Sequence, residues 1–395
     1  MSKRLFLFTA VYPYCIYGDN FIEREMDYLL KEFEEIVIIP YRKEVEECKE
    51  LSSKCRVLPP VLDSKSKFIW KGLYSYEGMR LLFPELLRHK TFANHKKFLV
   101  WVKAYSFLNN LCNRKDIREI GDNLNPNDVC YFYWGKWGNM LSVVWQGKAH
   151  FVSRFHGEWD LWEESSGNYT PLREKVASCL DFAAFISKKG ERYFFNRYTI
   201  KRTLFAPLGS VDFGVSRKST DGIVRIFTCS NVIPLKRVDL IFDCINKYSE
   251  NHSVEWTHIG GGDDLQGLVD YVKSKCHKNL NAKLLGIQDH SVVVQYYQNN
   301  PIDLFINLST IEGVPVSIME ALSCNVPVVA TDVGGVCEIV TEETGVLVDA
   351  NPSVNDVVAA IEKALTNNFT PREFWDAHYN ADRNYSSFAQ ELSNL

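Results

Sequence analysis

Short apolar runs alternate with amphipathic segments along most of this 395-residue chain. In the first half, the runs that predict strands are 4–9, 36–40, 129–133, 150–154, 182–187 and 204–209. In the second half they are 225–229, 254–260, 282–285, 303–308, 326–330 and 345–348. Segment 21–30 has helical periodicity, with Asp19 or Asn20 as its N-cap. Strands that alternate with helices predict parallel sheets, and the regular second half predicts a doubly wound sheet.

The length and composition are typical of a globular protein with two domains. A chain of 395 residues exceeds the usual size of a single core. Hydrophobic residues make up 46% of the chain and charged residues 24%, as in ordinary globular enzymes. The formal charge of −4 argues against a general nucleic-acid binder, so we expect no nucleic-acid partner. We predict one domain over 1–207, a second over 208–370 and a helical tail over 371–395.

The sequence predicts no metal site, no secretory leader and no membrane span. The eleven cysteines form no Cys-x-x-Cys pair and no Cys/His spacing typical of a metal site. Such scattered thiols fit a reducing cytosol. The first residues, Met1-Ser-Lys-Arg, run directly into an apolar strand-like segment, unlike a leader peptide. No run of 18 or more apolar residues occurs. We therefore expect a cytoplasmic protein.

Segment 61–115 differs from the rest of the chain in charge. It holds eleven Lys or Arg residues against three acidic ones, a formal charge of +8, among many aromatic and leucine residues. Within it, 81–90 and 98–107 have the periodicity of amphipathic helices. Basic residues beside exposed aromatic side chains suit the surface of an anionic membrane. The alternative is that both helices pack into the core and only their basic faces meet water.

Two glutamates, Glu312 and Glu320, flank a predicted strand-to-helix turn in the second half. Glu312 follows the apolar run 303–308, and Glu320 lies about two turns into the next helix. Gly313 and Pro315 between them suit a tight turn and a helix start. In open α/β sheets, ligands bind at the carboxyl ends of strands, where helix N-termini attract phosphate. Carboxylates at such a place are suited to accept hydrogen bonds from a ribose or a sugar.

This spacing resembles the Glu-x7-Glu signature of family 4 of the retaining GT-B glycosyltransferases. The resemblance continues without a gap through 321–335, Glu338 and 345–348. It implies an α/β GT-B fold: two Rossmann-like doubly wound domains with a cleft between them, and a tail that crosses back to the first domain. It also implies transfer of a hexosyl unit from a nucleotide sugar to a hydroxyl, with retention of configuration. No cofactor and no metal are expected, which agrees with the absence of an Asp-x-Asp motif.

By this resemblance, Glu320 would bind the ribose hydroxyls and Glu312 the donor sugar. The turn of Gly313, Val314 and Pro315 would present amides to the diphosphate. The alternative for Glu320 is a solvated helix face, since two surface carboxylates at this spacing are common. Its apolar neighbours, such as Ile318, argue instead for a mostly buried helix.

A basic cluster follows the predicted strand 225–229. Lys236 and Arg237 lie at a loop-to-helix junction, where cations could neutralise a diphosphate leaving group. Members of the family usually carry an arginine five residues before the lysine, and here Asn231 takes that place. Arg237 would then supply the missing charge from a different direction. The alternative is an ordinary basic first turn of a helix.

Three more loops match the family at single positions. Gly261 lies in a glycine cluster that resembles the turn facing the nucleotide, although a glycine cluster alone is weak evidence. Gln288 falls where the family seats the base. Gly18, after the first strand, would let the backbone approach the diphosphate or acceptor, whereas Asp19 beside it could simply cap a helix.

His156 follows the predicted strand 150–154 and, with Gly157 and Asp160, resembles the family's His-Gly-x-x-Asp segment. A histidine there would hydrogen-bond the donor hexose or help the acceptor. The alternative is a structural histidine. We name His156, Glu312 and Lys236 as the catalytic candidates.

The resemblance points to the synthesis of bacterial surface polysaccharide. The donor would be a UDP-sugar or a GDP-sugar, and the acceptor a glycan or a polyprenyl-diphosphate-linked glycan. Segment 61–115 would then contact the inner face of the cytoplasmic membrane. Two alternatives stay open: a GT-B hydrolase or epimerase, and a non-catalytic subunit that binds a sugar nucleotide or acts as a scaffold. Asn231 is the feature that favours the latter.

Overall fold

The computed structural model describes residues 3–15, 20–62, 74–157 and 160–395. Contacts divide the chain into two compact units. The first unit comprises Met1–Ala206 and Tyr385–Leu395, and the second unit Pro207–Asn384. The expected tail, 371–395, is therefore shared between the units, because its residues up to Asn384 pack with the second one.

The first unit is built on a seven-stranded parallel sheet. Its strands are β1 (Arg4–Thr9), β2 (Glu35–Pro40), β3 (Cys55–Val57), β4 (Val129–Phe132), β5 (His150–Phe155), β6 (Phe182–Phe185) and β7 (Thr203–Phe205). They lie in the order β3-β2-β1-β4-β5-β6-β7. The inner strands β1, β4 and β6 are almost wholly buried apolar runs, as expected of a sheet covered by helices on both faces. Strand β3, at the edge, was not predicted.

The helices of the first unit fill the connections between its strands. They are α1 (Asn20–Glu32), α2 (Tyr76–Arg88), α3 (His95–Asn113), α4 (Lys115–Asn123), α5 (Leu141–Val144), α6 (Arg173–Cys179) and α7 (Lys188–Phe195). Helix α2 covers the predicted segment 81–90 except its last two residues and begins before it, while α3 contains all of segment 98–107 and extends beyond it at both ends. The hydroxyl of Ser75 caps α2, and the side chain of Asn94 caps α3, each accepting from a first-turn amide.

The second unit holds a six-stranded parallel sheet in the order β10-β9-β8-β11-β12-β13. Its strands are β8 (Val224–Cys229), β9 (Val254–Ile259), β10 (Leu280–Leu284), β11 (Leu304–Asn307), β12 (Val328–Thr331) and β13 (Gly345–Val348). Each begins and ends within two residues of its predicted bounds. The helices are α8 (Val238–Tyr248), α9 (Leu265–Lys275), α10 (His290–Asn299), α11 (Val316–Ser323), α12 (Val354–Thr366), α13 (Pro371–His378) and the start of α14 (Ala381–Ser393).

The chain of the second unit reverses its direction of travel across the sheet next to β8. It runs from β8 to β9 and β10 on one side, and then returns to place β11, β12 and β13 on the other. Ligands bind at such a switch point in open α/β sheets, outside the carboxyl ends of the strands. The loops that follow Cys229 and Asn307 leave neighbouring strands there, because β8 pairs with β11.

The end of α14 completes the core of the first unit. Phe388, Ala389 and Leu392 are buried against one face of its sheet. The guanidinium of Arg154 lies 4.6 Å from the ring centre of Phe388. The same guanidinium donates to Glu25 Oε2 at 2.6 Å, so this one buried side chain contacts both α1 and α14. Across the described residues, no helix is both long and apolar enough to cross a membrane.

Candidate functional site

The loops after β8, β9 and β10 are hydrogen-bonded to one another through their backbones. They lie beyond the carboxyl ends of the strands of the second sheet, here called its carboxyl edge. Val232 donates its amide to Gly261 O at 2.8 Å, and Gly260 donates to Gly286 O at 2.9 Å. A Cβ at Gly260, which has a φ of +145°, would lie 1.8 Å from Ser230 O. Only glycine permits this conformation and this close approach. The glycine cluster therefore lets three loops lie against one another, and the predicted Gly261 is part of that contact.

Glu312 and Lys236, two of the three catalytic candidates, meet at this edge. Lys236 ends the short helix Pro234–Lys236, and its Nζ lies 2.5 Å from Glu312 Oε1. The same oxygen accepts from the side-chain amide of Asn307 at 3.4 Å. The side chain of Lys236 is 24% exposed and that of Glu312 is 11% exposed. The structure therefore places an ammonium group and a carboxylate together, partly open to solvent, at the switch point.

A glycine pair after β12 holds the backbone of Glu312 in place. A Cβ at Gly334, where φ is +56°, would lie only 1.7 Å from Glu312 O. Gly335 donates its amide to Gly313 O at 2.8 Å. Val314 is buried beside them, and Pro315 stands at the N-cap of α11. The predicted turn from Gly313 to Pro315 is thus a fixed connection between β11 and α11.

Glu320, on α11, contacts a histidine that the sequence did not point out. His290 Nε2 lies 2.7 Å from Glu320 Oε1. The side chain of Glu320 is 9% exposed, whereas that of His290 is 48% exposed. Burial, with a smaller contribution from the carboxylate of Glu320, raises the pKa of the nearby Cys229 thiol. The sequence signal for His290 is its position two residues after Gln288, at the start of α10. That position alone does not indicate a contact with Glu320.

Arg237 uses its guanidinium to connect two loops. Its Nε donates to Leu308 O at 2.5 Å, and Nη2 donates to Ser309 O at 3.1 Å and to Ala350 O at 2.9 Å. Nη1 lies 3.4 Å from Asn351 Oδ1. Burial lowers the pKa of Arg237, although a guanidinium remains charged. Most of its N–H groups are directed at protein oxygens, so the predicted role in place of the missing arginine stays a prediction.

Asn231 and Gln288 lie at the same edge and are both exposed. Gln288 Nε2 donates to Leu285 O at 2.8 Å and so folds back onto its own loop. The carbonyl of Asn231 accepts from Ile233 at 3.1 Å. The structure brings both positions to the predicted side of the sheet, and their contacts with a ligand stay predictions.

In the first unit, Asp160 organises the loop that carries His156. Its carboxylate accepts from the amides of His156 at 3.1 Å, Gly157 at 2.9 Å and Gly135 at 3.0 Å. Burial works to raise the pKa of Asp160, but these hydrogen bonds and the nearby imidazole outweigh it and lower the pKa. The His-Gly-x-x-Asp pattern therefore has a local structural cause: the aspartate closes the turn that follows β5.

The imidazole of His156 is nearly buried. Its ring centre lies 4.7 Å from that of Tyr133 and 4.3 Å from that of Trp134. The side chain is 9% exposed, and Nδ1 lies 3.5 Å from Asp160 Oδ2. The position at the carboxyl end of β5 agrees with the prediction, while its role with a sugar stays a prediction.

Three of the expectations fall wholly or partly outside the described residues. Gly18 and the N-cap candidate Asp19 lie in the stretch 16–19, and residues 63–73 belong to the basic segment 61–115. Among the residues that are described, no group of three or more His, Cys, Asp or Glu side chains is placed to hold a metal ion.

Known protein sequences resemble the part of the chain that forms most of the second unit. Residues 217–381 match the model of glycosyl transferases group 1. The GPI3 subunit of phosphatidylinositol N-acetylglucosaminyltransferase from Saccharomyces cerevisiae (strain YJM789) is 30% identical over 163 residues, which cover 41% of this chain and 35% of the relative. The lipopolysaccharide core biosynthesis mannosyltransferase LpsB of Rhizobium meliloti (strain 1021) is 35% identical over 85 residues, covering 21% and 22%. The matched region thus spans no more than 35% of the length of either relative.

Comparison with solved structures covers the whole chain. The apo form of the lipopolysaccharide outer core galactosyltransferase WaaB has a TM-score of 0.66 at 13% identity, with 100% of both chains covered. Sucrose-phosphate synthase from Thermosynechococcus elongatus has a TM-score of 0.66 at 16% identity, covering 100% of this chain and 99% of that one. HepE from Anabaena, in complex with UDP and glucose, has a TM-score of 0.61 at 13% identity, with 100% of both chains covered. The predicted fold is confirmed: the chain has the GT-B fold of these structures, and its residues 217–381 match the model of glycosyl transferases group 1.

Proposed function

We propose that this chain moves a hexosyl unit from a nucleotide sugar to a hydroxyl of a glycan or lipid-linked glycan, with retention of configuration and without a metal ion. The observation that carries the proposal is the contact of 2.5 Å between Lys236 and Glu312 at the switch point of the second sheet. An ammonium group and a carboxylate, both partly exposed to solvent, suit the phosphate and the sugar of such a donor. One neutralises phosphate, and the other accepts from sugar hydroxyls.

In this mechanism Lys236 stabilises the charge that develops on the leaving diphosphate. The bond from the anomeric carbon to the diphosphate oxygen breaks as the bond to the acceptor oxygen forms on the same face. The proton of the acceptor hydroxyl passes to the departing phosphate oxygen, so the step needs no protein base. Glu312 orients the donor sugar, and Glu320 accepts from the ribose hydroxyls. The ion pair keeps Lys236 and Glu312 in position before the donor arrives.

The named relatives support a choice of donor and acceptor. HepE was solved with UDP and glucose, which favours a UDP-sugar over a GDP-sugar. The names of the yeast protein and of LpsB refer to phosphatidylinositol and to lipopolysaccharide. Both are lipid-bearing molecules, which favours a lipid-linked acceptor. Several relatives are named as subunits, which supports a partner protein for this chain too.

The first experiment is thermal unfolding of the purified protein with a panel of UDP- and GDP-sugars, beside Glu320→Ala. A ligand at about 100 times its dissociation constant adds about 2.7 kcal/mol to the stability of the folded state. We expect one donor to raise the midpoint in the wild type and not in the variant. If no member of either series shifts the midpoint, the proposal of a nucleotide-sugar donor is wrong.

A non-catalytic subunit is the second candidate, and the geometry of Arg237 favours it. Its guanidinium is directed at Leu308, Ser309 and Ala350, while the position of the family's usual arginine is held by the exposed Asn231. The two candidates differ in turnover. The non-catalytic protein would be stabilised by a nucleotide sugar and would release no nucleotide from it, with or without lipid-linked acceptors. A transferase would release the nucleoside diphosphate when an acceptor is supplied.

We further propose that helices α2 and α3 contact an anionic membrane. Phe83 and Leu87 on α2 and Phe98 and Leu99 on α3 are between 40% and 68% exposed. Several exposed basic side chains lie on the same two helices: Arg80, Arg88, Lys96 and Lys103. Exposed apolar groups can enter the interface while basic groups bind anionic head groups. This supports the membrane interpretation over two solvated basic faces.

The membrane proposal is tested by flotation with vesicles rich in phosphatidylglycerol or made of phosphatidylcholine alone. Replacement of Lys96, Lys97 and Lys103 by Glu should weaken binding to the anionic vesicles by at least about a hundredfold, at about 1 kcal/mol for each lost lysine. The matched control replaces Lys218, Lys273 and Lys275 of the second unit by Glu and changes the net charge equally. Equal binding by both triple variants would refute a contact through α2 and α3. Donor-induced stabilisation should be unchanged in either variant.

A further inference from the structure

We infer that His290 is a positioning residue for Glu320, and that it holds this carboxylate ready to receive the two ribose hydroxyls of a nucleotide. The inference rests on the proposed function and extends it to a residue outside the resemblance. His290 stands at the first position of α10, directly after Asp289, while Glu320 lies within α11. Their contact of 2.7 Å joins two helices that follow different strands.

The burial of Glu320 explains why it needs such a partner. Its side chain is 9% exposed, and a buried carboxylate is costly unless donors satisfy it. A carboxylate offers about four acceptor positions, of which His290 occupies one on Oε1. The remaining positions suit a pair of neighbouring hydroxyl donors. Donation from His290 requires only a proton on Nε2, which both the charged imidazole and one neutral tautomer provide.

The imidazole itself is held from a second side. Its ring packs against Phe213 with centres 5.8 Å apart and planes at 62°, an edge-to-face arrangement. Phe213 is buried, and its ring also packs against Tyr297 of α10. Since the side chain of His290 is nevertheless 48% exposed, it lies at the rim where a bound nucleotide would cover both members of the pair. Gln288, which is predicted to lie near the base, is two residues before His290 in the chain.

The test measures ribose recognition directly. Wild type, His290→Phe and His290→Gln are titrated calorimetrically with UDP, GDP and the 2′,3′-dideoxy forms of both. Phenylalanine keeps the ring against Phe213 and removes the donor, whereas glutamine keeps an N–H donor at similar reach. The matched control is His252→Phe. His252 stacks on Tyr248 just before β9, at the amino-terminal ends of the strands and so on the other side from His290. Thermal unfolding without ligand checks that each variant is folded.

We expect the wild type to bind one ribonucleotide roughly 10- to 100-fold more tightly than its dideoxy form, as for hydrogen bonds to a charged group. His290→Phe should reduce this preference to less than about threefold, and His290→Gln and the control should keep most of it. If His290→Phe keeps the full preference, or if the wild type binds a nucleotide without any preference, the inference is wrong. If the wild type binds neither UDP nor GDP, the proposed function fails first, which is a distinct result.

Discussion

Each unit contains a close pair of opposite charges, and the two pairs differ in burial rather than in distance. In the first unit, Arg154 Nη1 lies 2.6 Å from Glu25 Oε2, and both side chains are 0% exposed. In the second unit, Lys236 Nζ lies 2.5 Å from Glu312 Oε1, with exposures of 24% and 11%. A short distance therefore does not distinguish a buried structural pair from one proposed to bind a ligand.

The position of each pair in its sheet explains the difference. Arg154 lies within β5 and donates to Ala206 O at 2.7 Å besides Glu25, and it also packs on Phe388. Burial opposes the charge of Arg154, but the carboxylate of Glu25 and the hydroxyls of Tyr131, Tyr133 and Tyr385 together outweigh it and raise the pKa of Arg154. The pair of Lys236 and Glu312 instead lies beyond the carboxyl ends of two strands, where a ligand has access. We expect the buried pair to control stability and the open pair to control activity.

The largest effect expected from this contrast is on the stability of the first unit. Glu25→Ala leaves the guanidinium of Arg154 buried without its carboxylate, which costs about 3–5 kcal/mol of unfolding free energy. Urea denaturation followed by fluorescence measures the loss. The double variant Glu25→Leu with Arg154→Met removes both charges and should recover much of it. A loss below about 1 kcal/mol in the single variant would show that the pair behaves like a surface ion pair.

The open pair should show the opposite pattern. Lys236→Ala should lower kcat by about 100-fold or more, as does the loss of one group that stabilises transition-state charge. Its unfolding free energy should fall by only about 1 kcal/mol, because the pair is partly solvated. Release of nucleoside diphosphate from the donor identified by thermal unfolding measures kcat, and Lys273→Ala on α9 is the matched control. Normal turnover in Lys236→Ala would show that the Lys236 side chain does not stabilise the leaving group.

The sequence predicted the second unit better than the first for a physical reason. Its strands β11, β12 and β13 are short, mostly apolar runs, and β8, β9 and β10 alternate with regular helical segments. Glu312, Lys236 and Glu320 lie in loops or helix turns set by local patterns. The edge strand β3 was missed because its three residues, Cys55–Val57, are only partly buried and show no apolar run. Local pattern thus predicts strands that contain apolar residues in a recognisable run and misses a short strand that lacks one.

Residues whose roles depend on distant partners could not be predicted. His290 is one histidine at a helix start, and its partner Glu320 is 30 positions away. Arg237 donates to carbonyls 71 and 113 positions further along the chain, and the sequence predicted neither contact. No periodicity encodes such contacts, because the packing of several loops creates them. The same holds for Arg154 and Glu25, 129 positions apart.

The last expected effect concerns a buried group of the second unit that stays neutral, unlike the charged pair of the first. Trp256 Nε1 donates to Thr228 Oγ1 at 2.9 Å, and the same hydroxyl is hydrogen-bonded to His258 Nδ1 at 2.8 Å. Burial lowers the pKa of His258 to about 4, against a smaller opposing contribution from the backbone of Ser230. A proton added to this ring would place a positive charge in a buried site, which is costly.

This lowered pKa has a definite sign in the pH dependence of stability. The histidine of the unfolded chain takes up a proton near pH 6.5, and the folded one only near pH 4. Between those values the unfolded state binds more protons, so the stability from His258 is complete above pH 6.5 and is lost as the pH falls towards 4. The loss amounts to up to about 3 kcal/mol. In His258→Asn, which keeps an acceptor for Thr228, unfolding free energies measured from about pH 7.5 to 4.5 should decline less steeply than in the wild type. Parallel curves would show that another group sets the acid sensitivity of the second unit.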